Sequence, residues 1–407
     1  MRRAIVAGIA AFLAVFVTGS LFAALLDRAG AGEDEAVTPS ASPSGSPRPE
    51  PPAPIAAYLA WVPGGLPPSF AVRAAKLAGI DQVTAVAEDT AWMVASYEAD
   101  GSIVDRPAPP YMIPIDAAAI DPTGYAAMLA PEARATVAEL RPGEGLLGET
   151  SAKLRELGPG GRMEFQGGFQ VTIVGVLPDE QVGAAELVVD RATGAAIGIE
   201  QERYLLLLPA PDRHPTAGGL RERLIRLLPP DLLYRTAQVR APGQARYLRM
   251  GDAVLPPSII KARCGEWSGY PDPADPGAIQ IDPRWVDKKI VTTTVPVLGE
   301  VTCHRKLIPQ LRGAMEELEQ DGLAATIHAF AGCFAARNVL GSPSASISHH
   351  SWGIAIDVNA DTNPFARPPS QDAQLVALME RWGFTWGGEW IVPDGMHFEY
   401  LRPPPKT

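Results

Sequence analysis

Residues Ser348 to Val358 read S-H-H-S-W-G-I-A-I-D-V, and residues Trp386 to Tyr400 read W-G-G-E-W-I-V-P-D-G-M-H-F-E-Y. After Gly353 the first stretch alternates as a strand does, with Ile354, Ile356 and Val358 toward a core and Ala355 and Asp357 on the other face. A carboxylate on a strand, next to a residue as small as Ala355, leaves room for a partner. His350 lies seven positions before Asp357, so the turn at Gly353 can swing its imidazole back over that carboxylate. Imidazole nitrogen and carboxylate oxygen both suit zinc at ~2.0–2.2 Å. His349, the adjacent residue, is equally able to ligate on these grounds. In the second stretch Met396, Phe398 and Tyr400 alternate with His397 and Glu399, again placing polar groups on one strand face. Pro393 and Gly395 favour a turn that carries Asp394 toward the same metal. Two His and one Asp leave a fourth position for water, whose pKa a bound zinc lowers to about 7.

The rest of the chain is of ordinary globular composition. Of 407 residues, 46% are apolar and 20% charged, enough for a sizeable core and too apolar for whole-chain disorder. The length suggests two or three domains. Lys and Arg number 35 against 46 Asp and Glu, a net charge of −11 that argues against broad nucleic-acid binding. Gly 39 and Pro 41 make loops and linkers plentiful, without the Gly-X-Y period of collagen.

Ala4 to Leu26 are 23 consecutive uncharged positions behind Arg2 and Arg3, long enough as a helix to cross a ~30 Å hydrocarbon core. The positive-inside rule then puts everything after Asp27 outside. The other reading is a cleaved signal peptide ending near Ala29-Gly30-Ala31. Val37 to Pro54 hold seven Pro and four Ser in eighteen positions, which reads as an extended spacer. The cysteines are Cys264, Cys303 and Cys333; an exported chain permits one disulfide, in any of three pairings. A Cys-based zinc site is not expected, since no Cys-x-x-Cys occurs.

From Ile55 to about Pro256 short strands and helices mix. Ser69–Leu77 reads as helix, Gln82–Ala87, Gln170–Val176, Glu186–Asp190 and Arg203–Leu208 as strands. Gly218–Leu228 spaces Leu220, Leu224, Ile225 and Leu228 as a helix does, with Arg221, Arg223 and Arg226 between them. The segment Phe169–Asp190, FQVTIVGVLPDEQVGAAELVVD, resembles extracellular domains of bacterial export permeases. No metal-ligand spacing, Gly-rich phosphate loop or nucleophile elbow appears in this part.

The string Ser348-x-His350-x-x-Gly353-x-Ala355-x-Asp357, followed by Asp394-x-x-His397-Phe398-Glu399, resembles the VanY-type D-alanyl-D-alanine carboxypeptidases. These belong to the LAS group of zinc metallopeptidases, which cut bacterial cell-wall peptides. The resemblance covers roughly Pro256 to Pro403. It implies zinc on His350, Asp357 and His397, with Asp394 as general base where many members carry Glu. It also implies that Arg337, in Gly332-Cys333-Phe334-Ala335-Ala336-Arg337, contacts substrate or the developing oxyanion. Ser348 would lie near a substrate carboxylate, and His349 falls on no ligand position. Trp352, Trp386 and Trp390 are candidates for the cleft wall or for the core.

The chain is therefore predicted to be α+β. Residues 1–36 would be a transmembrane anchor or signal segment, 37–54 a Pro/Ser-rich linker, and 55–255 an α+β domain of unknown function. Residues 256–403 would form an α+β zinc peptidase domain with a small antiparallel sheet. Its expected cofactor is Zn2+, and its expected substrate is peptidoglycan stem peptides. The expected location is the cell membrane, single-pass with the catalytic domain extracellular, or secreted if the first segment is cleaved.

Overall fold

A computed structural model of the chain describes residues 57–251 and 255–403. Its first part is organised by one long strand. The strands there are β1 (Tyr58–Trp61), β2 (Ile80–Tyr97), β3 (Ile103–Asp105), β4 (Ile113–Ile120), β5 (Glu144–Gly148), β6 (Arg162–Phe165), β7 (Gln170–Leu177), β8 (Leu187–Asp190), β9 (Glu202–Pro209) and β10 (Gln238–Arg240). Strand β2 is 18 residues long and serves β9 along its first half, then β4, then β6 at its end, where β3 also pairs with it. Register shifts at Val86/Ala87 and Met93/Ala95 mark the changes of partner, and such bulges bend a strand. The order β2-β4-β8-β5-β7-β6 returns to β2, so six strands close into a barrel.

This corrects the expectation of an α+β domain over 55–255. The strands read from the sequence are present, but the helices are short and lie outside a closed barrel. Met93, Ile115, Leu147, Phe165, Ile173 and Leu187 fill its interior and are almost wholly buried. A small barrel is packed with side chains in this way, not hollow. Closure escapes the sequence because alternation shows which side chains point inward, and says nothing of which two strands meet last. Strands β9, β1 and β10 extend the sheet beyond β2, and helix Ala217–Leu227 covers them with Leu220 and Leu224.

The anchor expected over Ala4–Leu26 and the linker over 37–54 lie outside the described residues. Among the described residues no helix is long and apolar enough to cross a membrane. The structure thus lends no support to the single-pass anchor or to the membrane and extracellular placement drawn from it, and those expectations are withdrawn.

The C-terminal part contains β11 (Gly269–Pro271) paired with β12 (Ile279–Ile281), and the hairpin β13 (Ile290–Val295) with β14 (Gly299–His304). It ends in a four-stranded antiparallel sheet, ordered β15 (Phe330–Gly332), β16 (Ala355–Val358), β18 (His397–Tyr400) and β17 (Phe384–Trp386). Ile356, Val358 and Phe398 lie on the apolar face of this sheet. They pack on Leu311, Met315 and Leu318 of helix Ile308–Gln320 and on Leu375 and Leu378 of helix Ala373–Arg381. Burying each such side chain is worth about 1.5–3 kcal/mol. That gain holds the opposite, polar face of β16 and β18 in register.

A buried charge cluster joins this part to the barrel. Glu186 accepts hydrogen bonds from Arg155 Nη2 at 3.0 Å and Lys261 Nζ at 2.7 Å, and Glu266 sits within 3.1 Å of Lys261. Arg155 also bonds Glu266. Glu186 and Arg155 have fully buried side chains, and Lys261 is nearly so. Lys261 belongs to helix Pro257–Cys264, whose Ser258 Oγ donates to Ala184 O at 2.9 Å. Met112 and Gly269 add a backbone bridge, each N–H donating to the other's carbonyl at 2.8 Å.

Candidate metal centre and active site

Asp357 on β16 and His397 on β18 are directly opposite each other in the strand register. Alternation puts both on the face away from the Ile356–Phe398 core. His350 arrives from outside the sheet, on the short helical turn His349–Trp352. Ser348 caps that turn, its Oγ accepting from His350 N at 3.3 Å. Gly353 ends it at φ 64, ψ 36, a left-handed conformation that glycine adopts without strain. A Cβ there would stand 2.7 Å from His304 N. We expect Gly353→Ala to lose about 1–3 kcal/mol of stability by chemical denaturation, from left-handed strain and this backbone clash together.

The side chains converge. His397 Nδ1 lies 3.0 Å from Asp357 Oδ1, His350 Nε2 3.3 Å from Asp357 Oδ2, and the two imidazoles approach at 3.3 Å. One ligand atom from each of His350, Asp357 and His397 falls within 4.8 Å of the others. The remaining ring nitrogens are occupied elsewhere. His350 Nδ1 is 2.7 Å from Cys333 O, and His397 Nε2 is 3.2 Å from Glu399 Oε2. Each ring can therefore donate its proton outward and turn a lone pair inward. This donor set fits a zinc ion.

Electrostatics follow from the crowding. Burial acts to raise the Asp357 carboxyl, but hydrogen bonds and charge from His350 and His397 outweigh it and hold it well below the usual carboxylate range. Burial disfavours charge on His397, yet Asp357 and Glu399 overcome this and push it up to about 10. A proton on that ring occupies the place of a metal's positive charge, so metal binding there releases it. Asp394 behaves oppositely. Burial, aided by Asp357, raises its carboxyl against the pull of His397, His350 and Arg337. Its Oδ1 is buried and has no hydrogen-bond partner among the described residues. Gly387 permits this approach: a Cβ there would meet Asp394 O at 2.6 Å and His397 Cβ at 3.3 Å.

Arg337 is half-buried, and its charge reaches Asp394. Its backbone holds the loop, with N–H donating to Ser351 Oγ at 3.0 Å and its carbonyl accepting from Ser348 N at 3.0 Å. Ser348, placed near substrate by resemblance, caps the histidine turn and is 6% exposed. Of the three tryptophans, Trp352 is core, its ring tilted against that of Trp267 with centroids 5.4 Å apart. Trp386 packs on Phe398 and donates to Gly395 O at 2.9 Å. Trp390 flanks the site, its ring 5.2 Å from that of His397.

The structure joins Cys303 of β14 to Cys333 and leaves Cys264 free and buried. The disulfide thereby tethers the peptide whose carbonyl orients His350. A 30-residue separation makes it worth ~3–4 kcal/mol by loop closure. Cys303→Ser with Cys333→Ser should lower the unfolding free energy by about that amount in a denaturant titration. His304, buried beside Cys303, is no ligand. Its Nε2 meets Cys264 O at 2.9 Å, and burial lowers its pKa to about 4. Sequence reasoning missed Glu399 as a partner of His397. The signal was there, since Glu399 shares the strand face of His397 and stands opposite Ala355.

Residues 342–400 match the family model described as D-alanyl-D-alanine carboxypeptidase, the family that the motifs of this region resemble. The match contains Ser348, His350, Asp357, Asp394 and His397 and ends at Tyr400. No curated protein matches the chain. Among solved structures, it is similar to the periplasmic region of MacB from Actinobacillus actinomycetemcomitans, at 13% identity over 46% of this chain and 88% of that one, with a TM-score of 0.31. It is also similar to the extracellular domain of the noncanonic ABC-type transporter YknZ from Gram-positive bacteria, at 14% identity over 45% and 98%, with a TM-score of 0.30.

Proposed function

We propose that the C-terminal part is a zinc-dependent peptidase that hydrolyses peptide bonds in bacterial peptidoglycan stem peptides. The observation that carries this reading is one cluster. His350, Asp357 and His397 present ligand atoms within 4.8 Å of one another, and beside them Asp394 holds a buried, unpartnered carboxylate oxygen. All four residues lie inside the matched segment.

Zinc bound by His350, Asp357 and His397 supplies Lewis-acid polarisation of a peptide carbonyl and an acidified water. The chain's own groups do the rest. Asp394 Oδ1, free of other partners, takes a proton from the attacking water and returns it to the leaving amine. Arg337, always charged, pairs with the oxyanion or with a substrate carboxylate. Ser348 keeps a hydroxyl proton to offer a substrate carboxylate, since its oxygen serves as an acceptor toward His350 N.

Digestion of defined muropeptides, with the cut bond identified by mass spectrometry, tests this. Release of terminal D-alanine alone makes the domain a carboxypeptidase, and an internal cut makes it an endopeptidase. A zinc-loaded protein that cuts neither would overturn the peptidase reading and leave the alternative of a catalytically silent wall-binding or scaffold protein.

A further inference from the structure

The far side of His397 is closed by a carboxylate almost without exposure. Glu399 is 2% exposed, and its Oε2 lies 3.2 Å from His397 Nε2 and 2.7 Å from His349 Nδ1. Ala355, directly across the strand pair, is small enough to leave the carboxylate its place. A lone buried carboxylate is costly unless paired. Here two imidazoles stand against it, both within 3.2 Å of Glu399 Oε2.

We propose that Glu399, seated by His349, is a positioning residue that selects the metal-binding tautomer of His397. A neutral imidazole carries one proton, and the partner of one nitrogen decides which nitrogen keeps it. An acceptor at Nε2 places the proton there and leaves the Nδ1 lone pair facing Asp357 and His350. His350 has its own fixed acceptor in the Cys333 carbonyl, which selects the complementary tautomer with Nε2 inward. The two rings thus ligate through different nitrogens, each set by a different partner. His349 matches no ligand position, yet its Nδ1 lies 2.7 Å from the same Oε2 that faces His397, a close contact of an ion-pairing kind without hydrogen-bond geometry. Its function is to stop that carboxylate from turning away. This inference rests on the zinc-peptidase reading.

The test uses the full chain. Zinc dissociation constants are measured by chelator competition for the wild type, Glu399→Ala, Glu399→Gln, His349→Gln and, as control, His350→Ala. Long-range proton–nitrogen NMR reads the protonated nitrogen of His397. Glu399→Ala should weaken zinc about 10–100-fold, the usual cost of losing such a partner. Glu399→Gln should weaken it less, because its amide oxygen can still accept from Nε2, and His349→Gln should fall between wild type and Glu399→Ala. The Nε2-protonated signal of His397 should decline in the same order. Unchanged affinity and an unchanged tautomer in Glu399→Ala would overturn the inference. If that variant does not fold, an unaltered His397 signal in both Glu399→Gln and His349→Gln overturns it equally. Zinc binding by His350→Ala as tight as wild type would instead remove the metal site itself, and with it the peptidase reading.

Discussion

Asp394→Asn is expected to bind zinc as the wild type does and to lose turnover by ~10²–10⁴-fold, the range of a general acid–base group. Asn keeps the shape of the side chain, so the packing against Gly387 and the backbone bond from Asp394 N to Gly387 O at 2.9 Å are preserved. What it loses is the ability of Oδ1 to take and return a proton. The ligand atoms of His350, Asp357 and His397 are supplied without Asp394, which is why metal content should not change. Zinc analysis alongside muropeptide turnover separates the roles. Wild-type activity would remove Asp394 as the base, whereas joint loss of zinc and activity would make it a ligand.

Glu186→Ala is expected to lower the unfolding free energy by about 3–5 kcal/mol, as happens when one member of a buried ion pair is deleted and its partner left uncompensated. Glu186 faces Arg155 Nη2 and Lys261 Nζ with no exposed side-chain surface, and also accepts from Asp116 N at 3.1 Å. Without it two buried cations share Glu266, whose side chain is 20% exposed, and the more distant Asp105, 3.6 Å from Arg155. Because Arg155 belongs to the barrel part and Lys261 to the helix leading into the C-terminal part, the loss falls on the seam between them. Denaturant unfolding measures it. A fall of under about 1 kcal/mol would show that desolvation of the four charges already cancels their attraction.

Much of the site could be read from local pattern. Strand alternation at Ile354–Val358 and Met396–Tyr400 assigned Asp357 and His397 to polar faces, and the structure pairs those faces residue for residue. Gly353 as the turn that returns His350 was legible because only a glycine enters a left-handed turn freely. Less of the fold was legible. The strand runs near Gln170, Leu187 and Arg203 are where the sequence puts them, but β2 runs on to Tyr97, far past the Ala87 at which its pattern changes. At that point the strand bulges and changes partner, and a bulge erases the period of two on which strand reading depends.

Residue types and local periodicity offered Asp357, His397 and either His349 or His350 as zinc ligands, and the motif's resemblance to VanY-type carboxypeptidases singled out His350 and Asp394; the net charge showed a chain too acidic for broad nucleic-acid binding. Ligand types are properties of short segments, expressed whatever the rest of the chain does, and net charge is a sum that needs no fold. Tertiary structure alone decided that six strands close on β2, that Cys303 joins Cys333, and that Glu399 and His349 back His397. Each of these depends on groups remote in sequence meeting at a distance of a few ångströms, and on burial that turns such meetings into energies. Neither distance nor burial is a property of a segment read in isolation.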